Sequence, residues 1–329
     1  MELRVLNAEE MSRALDMAEL IEGMKLAYRR LSAGQAEMPL RSRITLPRQE
    51  GVLLTMPAAL PGEGKLAVKM VSVFGKNPGR QLPLIHALVT VFDAETGAPA
   101  ALMDGEVLTA KRTGAGSGAA TDLLARGDAS EVAILGSGAQ ARTQLEAVCS
   151  VRNIKKARVY SPNYKHALKF AEELRGQGSI PEALDAVESA KAAVSGADII
   201  CAATTSNIPV FNYRDLKPGA HVNGVGSFQP SMQEIDSETV KNSLVLVDSR
   251  ESALSETGDL AVPIRERIIT RDHIHAELGE VLNGTRSGRS TPEQTTFFKS
   301  CGVAVQDAVA ADMALNRARE LKLGRIIEL

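Results

Sequence analysis

The run Gly136-Ser137-Gly138-Ala139-Gln140-Ala141 is a G-x-G-x-x-A pattern, directly after the apolar stretch Glu131-Val132-Ala133-Ile134-Leu135 and directly before a helical one. Gly136 permits a tight turn, Gly138 lets backbone approach a pyrophosphate, and Ala141 is small enough for close helix–sheet packing. The pyrophosphate would sit at the helix N-terminus, on the backbone around Ala139 and Gln140, where unpaired N–H groups and the helix dipole favour an anion. The residue closing the following strand selects the dinucleotide, because an acid there binds a ribose 2′-OH and repels a 2′-phosphate. Here Val159-Tyr160-Ser161-Pro162-Asn163-Tyr164-Lys165 puts Ser161 in that place and no carboxylate. Ser161 and Asn163 can donate hydrogen bonds to a phosphate and Lys165 can supply charge, so NADP(H) is the expected cofactor, with NAD(H) the alternative. Lys165 is equally readable as a solvated helix charge. Thr204 with Thr205, and Val225-Gly226-Ser227, each follow a strand, and so lie at the sheet edge where open α/β folds bind ligands. They are expected to line the ribose and nicotinamide, the other reading being ordinary strand-end turns.

The elements that must position these residues follow from periodicity. Residues 8–33 place Met11, Leu15, Leu20, Ile21 and Met24 at helical spacing and stop at Gly34, giving one or two amphipathic helices. From Arg41 to Asp93 the chain breaks into short β-rich runs, ITL, GVLLTMPA, KLAVKMVSVF and IHALVTVFDAETG, predicting an antiparallel or mixed sheet. A helix is expected from Val107 to Arg126, then a strand–turn–helix at the glycine motif, and strands in KARVYS, ADIICAAT, AHVNGVGS and NSLVLVDS. Helices fall between them in HALKFAEELRGQ and AVESAKAAVSG. Alternating strands and helices predict a parallel sheet covered on both faces. From Thr291 the chain is expected to return to helix, with VAVQDAVAADMALNRARELK packing on, or bridging to, the first part.

Composition narrows the partners. The 329 residues are 44% hydrophobic, with 38 Lys+Arg against 40 Asp+Glu and a net charge of −2, which leaves no basic field for a nucleic-acid backbone. No run approaches the ~20 apolar residues that span a bilayer, and the acids in the first twenty residues argue against a signal peptide. Cys149, Cys201 and Cys301 are odd in number and far apart, which fits neither a disulfide framework nor a structural zinc site and suits a reducing cytoplasm. His273-Ile274-His275 with Glu277 is the one histidine–acid cluster and is expected to be structural, so no metal is expected.

Residues outside the glycine motif extend the pattern: Leu66-Ala67-Val68-Lys69-Met70-Val71, Ala87-Leu88-Val89-Thr90-Val91-Phe92-Asp93, Lys111-Arg112-Thr113-Gly114-Ala115, His221-Val222-Asn223-Gly224-Val225-Gly226-Ser227 and Glu277-Leu278-Gly279-Glu280-Val281. Together with GSGAQA these resemble the ornithine cyclodeaminase/mu-crystallin family, in order, over nearly the whole chain. The resemblance implies a homodimer in which a Rossmann-type parallel-sheet dinucleotide domain, residues 113–306, is inserted into a discontinuous α+β substrate-binding and dimerisation domain, residues 1–112 and 307–329. It also implies that Arg41, Lys69 and Arg112 surround a substrate carboxylate and that Thr113 contributes to cofactor binding. Such cations would orient the neighbouring carbon towards the nicotinamide. Lys69 could instead relay a proton to the substrate nitrogen, since surrounding cations lower its pKa, and Arg43 competes for the place of Arg41.

Cyclodeaminases of the family carry an aspartate where this chain has Phe228, and a phenyl ring cannot exchange protons during ring closure and ammonia loss. The remaining chemistry is hydride transfer to a carbon beside both a carboxylate and a nitrogen, with Phe228 suited to a methylene ring. The expected activity is NAD(P)H-dependent reduction of a small imino-acid substrate, Δ1-pyrroline-2-carboxylate or Δ1-piperideine-2-carboxylate, to proline or pipecolate. An alanine-type amino-acid dehydrogenase, an ornithine cyclodeaminase, and a non-enzymatic protein that holds NADPH and a small ligand are the alternatives.

Overall fold

The computed structural model describes residues 2–328. The chain divides into two compact units, Met1–Arg112 with Val303–Leu329, and Thr113–Gly302. The second crossing thus precedes the terminal helix Ala304–Glu320, which a boundary at 306/307 would cut.

In the first unit, β1 (Glu2–Leu6), β2 (Ser42–Leu46), β3 (Gly51–Leu60), β4 (Lys65–Phe74), β5 (Ile85–Asp93), β6 (Pro99–Asp104) and the C-terminal β15 (Arg325–Glu328) form one sheet. Its order is β15-β1-β6-β5-β4-β3-β2, antiparallel except for β1 beside β6. Side chains alternate between faces, so register decides what each strand offers the core. Met56, Lys69, Val89 and Met103 lie side by side across β3 to β6 and are all buried. The terminal helix Ala304–Glu320 packs on β3, β4 and β5 and on the helix Met17–Ser32. The N-terminal helical stretch is two helices: Asn7 caps Ala8–Ala14 and the Asp16 side chain accepts from the Glu19 N–H to begin Met17–Ser32.

A helix from Gly105 to Leu124, started by the Asp104 carboxylate accepting the Val107 N–H at 2.8 Å, runs out of the first unit and into the second. Arg112 and Thr113, neighbours on this helix, therefore belong to different units.

In the second unit, β7 (Glu131–Leu135), β8 (Lys156–Tyr160), β9 (Leu184–Ala186), β10 (Ile199–Ala202), β11 (His221–Gly224), β12 (Leu244–Val247), β13 (Ile274–Glu277) and β14 (Thr296–Lys299) form an all-parallel sheet. The order is β13-β12-β14-β11-β10-β7-β8-β9, with apolar clusters covering it. The fold is the α/β class expected, with its Rossmann-type sheet. The chain leaves β7 for β8 and β9 on one side and returns to β10 on the other, which opens the ligand crevice at the C-terminal ends of these strands. Two local expectations differ. Leu184–Ala186 is an edge strand and only Ala190–Val194 is helical in the AVESAKAAVSG region. Thr296-Phe297-Phe298-Lys299, expected as helix, is a central strand, buried on both faces and too short to show a period.

Candidate active site

Within the first unit, the inward line of the sheet brings one cation against the terminal helix. Lys69 on β4 is 3% exposed, and its Nζ lies 2.7 Å from Oδ2 of Asp307, in the first turn of that helix. The other carboxylate oxygen accepts the Arg112 Nε–H at 2.9 Å, so one buried carboxylate holds both expected cations. Gln306 completes the cluster. Its Oε1 accepts from Arg112 Nη1 at 3.1 Å and from the Val303 N–H at 3.0 Å, while its Nε2 donates to the Tyr28 hydroxyl at 2.8 Å.

The charges explain the titration. Burial lowers the Lys69 pKa, Asp307 opposes this, and Arg112 and Arg41 reinforce it, leaving the ammonium at about 8. Burial raises the Asp307 carboxyl, but Arg112 and Lys69 outweigh it and hold the group below the ordinary carboxylate value. Arg41, just before β2 and partly buried, is thus within electrostatic reach of Lys69, whereas Arg43 on β2 is exposed. Two cations meet one carboxylate, with Arg41 in electrostatic reach, a local excess of positive charge that suits an incoming acid group. A lysine near neutrality can also give or take a proton.

In the second unit a cavity of about 830 Å³ opens at the end of β7. Gly136, Ser137, Gly138, Ser161 and Thr204 line it. Gly136 has φ 107°, and a Cβ there would lie 2.5 Å from the Ala203 carbonyl oxygen, so glycine is required. Gly138 begins the helix Ala139–Val151 with no side-chain cap, and a Cβ on it would meet nothing within 4 Å. Uncapped N–H groups at Ala139 and Gln140, an open approach, and the buried Gln140 Oε1 without a hydrogen-bond partner fit a dinucleotide phosphate cradle. Ser161 closes β8 and is 7% exposed. Asn163 caps the next helix by accepting the Lys165 N–H at 3.1 Å. Lys165 is exposed, and it is Lys169, His166 and Arg142 that line the cavity beside Ser161. Thr113 is 6% exposed, and its carbonyl accepts from Gln144 Nε2 at 3.4 Å.

The edges of β10 and β11 are tied together by Glu234. This fully buried carboxylate accepts the Thr204 N–H at 2.5 Å and the Gly226 N–H at 2.6 Å. Val225 continues β11, its N–H donating to the Ala202 carbonyl. The Ser227 hydroxyl is used by its own loop: it donates to the Met232 carbonyl at 2.6 Å, meets Thr257 Oγ1 at 2.7 Å and accepts the Gly258 N–H at 3.1 Å. Phe228, next to it, is 50% exposed. His273 and His275 hydrogen-bond the carbonyls of Val240 and Ser287, each at 2.9 Å, rather than sharing a site.

The sequence matches the Ornithine cyclodeaminase/mu-crystallin family over residues 1–322. The chain belongs to this family. It is 40% identical over 325 residues to a Δ1-pyrroline-2-carboxylate reductase of Bacillus cereus, covering 98% of this chain and 99% of that protein. A solved structure of the Thermococcus litoralis Δ1-pyrroline-2-carboxylate reductase, in complex with NADH and L-proline, is 43% identical with a TM-score of 0.94, covering 98% of this chain and 99% of that one. An archaeal alanine dehydrogenase dimer with bound NAD is 32% identical with a TM-score of 0.92, each chain wholly covered.

For this member of the family, the structure brings Lys69 and Arg112 into one cluster with Arg41 in reach, and gathers Gly136, Gly138, Ser161 and Thr204 around one cavity. It leaves Lys165 outside that lining. Asp307, Gln306 and Glu234 were missed by sequence reasoning. A signal for the first two existed: Gln306-Asp307 interrupts Val303-Ala304-Val305 and Ala308-Val309-Ala310, polar residues on a stripe that must be buried. Glu234, in Ser231-Met232-Gln233-Glu234-Ile235, has none.

Proposed function

We propose that this protein is an NAD(P)H-dependent reductase of cyclic imino acids, acting on Δ1-pyrroline-2-carboxylate, Δ1-piperideine-2-carboxylate or both. The observation that carries this reading is the buried Lys69–Asp307–Arg112 cluster, a site for an anionic substrate next to a proton donor, in a chain similar over its full length to reductases of a carboxylated cyclic imine. The reaction takes the imino acid, one hydride and one proton to the cyclic amino acid and oxidised cofactor. The reduced nicotinamide, when bound, supplies the hydride. Arg112 and Arg41 hold the substrate carboxylate, which fixes the orientation of the adjoining C=N bond. An ammonium has three hydrogens and Asp307 occupies one, so Lys69 keeps donors for the carboxylate or ring nitrogen. Lys69 donates that one proton to the ring nitrogen, which makes the adjoining carbon electrophilic; hydride addition at the carbon then completes the amine, and solvent reprotonates Lys69. Gly136, Gly138, Ala139 and Gln140 cradle the pyrophosphate, with Thr113 nearby in sequence on the preceding helix. Thr204, Val225 and Ser227 border the nicotinamide end, Ser227 through its backbone.

NADP(H) is the preferred cofactor in this reading. Ser161 places no carboxylate against a 2′-phosphate, and Arg142 and Lys169, which share Glu173, supply charge on the same cavity wall, with Asn163 and Lys165 beyond it. Substrate binding and dimerisation fall to the first unit. On the sheet face opposite Lys69, the register aligns Met70 beside Leu88, which are 37% and 47% exposed, with Ile44 on the same face at 59%. A second copy of the chain would cover this apolar surface. Among the described residues no helix is long and apolar enough to cross a membrane. The buried thiols of Cys149 and Cys201, both pushed up to about 12 by burial, suit a reducing cytoplasm.

The test is a spectrophotometric panel of NADPH and NADH with five- and six-membered cyclic imino acids and, separately, pyruvate with ammonia. Turnover of the cyclic acids supports the reading. Turnover of pyruvate with ammonia alone would make it an alanine-type dehydrogenase, and cofactor binding without any turnover would make it a binding protein.

A further inference from the structure

Glu234 takes no part in the chemistry above, yet its position is over-determined. Thr204 follows β10 and Gly226 follows β11, two adjacent parallel strands, and the Glu234 oxygens take one N–H from each at 2.5 and 2.6 Å. Gly226 leaves no alternative tenant: a Cβ there would lie 2.1 Å from the Thr204 carbonyl oxygen and 2.5 Å from Glu234 Oε1. Glu234 is pinned in turn. Its own N–H and that of Ile235 donate to Asp259 Oδ1 at 2.6 and 2.9 Å. Asp259 Oδ2 lies 3.0 Å from Lys299 Nζ at the end of β14, both groups fully buried. A continuous set of polar contacts thus runs from β14, through the helix Gly258–Arg265, to the loops after β10 and β11.

We propose that Glu234 is a positioning residue for the dinucleotide: its carboxylate locks the Thr204 and Gly226 backbones together at the sheet edge that receives the nicotinamide end of the cofactor. The role rests on the NAD(P)H reading above. Two N–H donors match a carboxylate, whereas a carboxylic acid turns an O–H donor towards one of them. Burial pushes the Glu234 carboxyl up to about 7; Asp259 adds to the rise, and Lys299 and the Thr204 N–H oppose it. Behind Lys299 stand Asp248, which accepts the N–H groups of Ser249, Cys301 and Gly302, and Cys301 itself. Lys299 is held charged in this range: burial lowers it, but Asp259, Cys301 and Glu234 raise it further. Cofactor affinity therefore falls as pH drops and Glu234 takes up a proton.

The test is NADH binding followed by cofactor fluorescence. NADH is chosen because the 2′-phosphate of NADPH itself titrates in this range. For the wild-type protein the Kd should rise roughly three- to tenfold between about pH 8 and about pH 6. His166 lines the wall of the same cavity, so the titration is repeated with His166→Gln, in which the slope should remain. Glu234→Gln, checked for folding by circular dichroism, should bind weakly without the pH slope, and Glu234→Asp should recover the slope at intermediate affinity. A wild-type Kd that is flat over the range overturns the role, as does a folded Glu234→Gln that keeps both affinity and slope. Should Glu234→Gln not fold, the wild-type slope alone decides. Failure of the wild-type protein to bind NADH at all overturns the cofactor reading and this role with it, whereas normal but flat binding overturns the role alone.

Discussion

Lys69 Nζ lies 2.7 Å from Asp307 Oδ2, in a place where both side chains are almost wholly buried. The carboxylate raises the lysine pKa while burial, Arg112 and Arg41 lower it, and the balance near 8 puts the proton within reach of reaction at neutral pH. Several outcomes depend on that balance.

If Lys69 donates the proton during reduction, kcat/KM in that direction is flat below about pH 8 and falls above it, while oxidation of the cyclic amino acid, which needs the free amine, rises through the same pH. Pre-steady-state rates in both directions check the opposite signs. Asp307→Asn removes the charge that raises Lys69, so the fall in reduction moves to lower pH. It also leaves two buried cations uncompensated, a loss of about 3–5 kcal/mol in unfolding free energy measurable by denaturant titration.

Cofactor choice should turn on the wall that Ser161 shares with Lys169. Ser161→Asp places a carboxylate against the 2′-phosphate, and the Kd for NADPH should rise about tenfold or more while that for NADH changes little. Lys169→Ala should weaken NADPH selectively. Equal effects on both cofactors would locate the 2′-phosphate elsewhere.

Much of this is legible in the sequence. Strand, glycine turn and helix around Gly136 announce themselves because each glycine meets a distinct steric need, and the alternation of short apolar strands with helices predicts the parallel sheet. Lys69 and Arg112 stood out, through the family resemblance, as charges inside apolar elements. Less legible were features created by long-range pairing. Asp307 meets Lys69 only because the terminal helix returns to β4, and Thr296–Lys299 becomes a central strand only because β11 and β12 flank it. The sequence points to Lys165 by its proximity to Ser161, but linear proximity does not say which helix face lines the cavity, and the lysine there is Lys169.

Phe228→Asp tests the place where the family's cyclodeaminases carry an acid. Reduction should fall by about tenfold or more, since the family resemblance implies a substrate-binding role for this position and a carboxylate there opposes an anion. Ammonia release from ornithine, measured with a coupled assay, should stay at background. Appearance of that release would mean the missing acid alone separates the two activities.

The exposed pair Met70 and Leu88 should sit in the contact between two copies. Leu88→Glu puts a charge into that surface and should give a monomer by light scattering, with the first unit's fold retained by circular dichroism. An unchanged mass would exclude this face as the interface.

The most direct measurement compares kcat/KM for Δ1-pyrroline-2-carboxylate with that for the carboxyl-free ring imine of the same size, using wild-type protein and NADPH. A site built around Arg112, Arg41 and Lys69 should favour the acid by at least about a thousandfold. Equal turnover of the two compounds would contradict the carboxylate site on which the proposed chemistry depends.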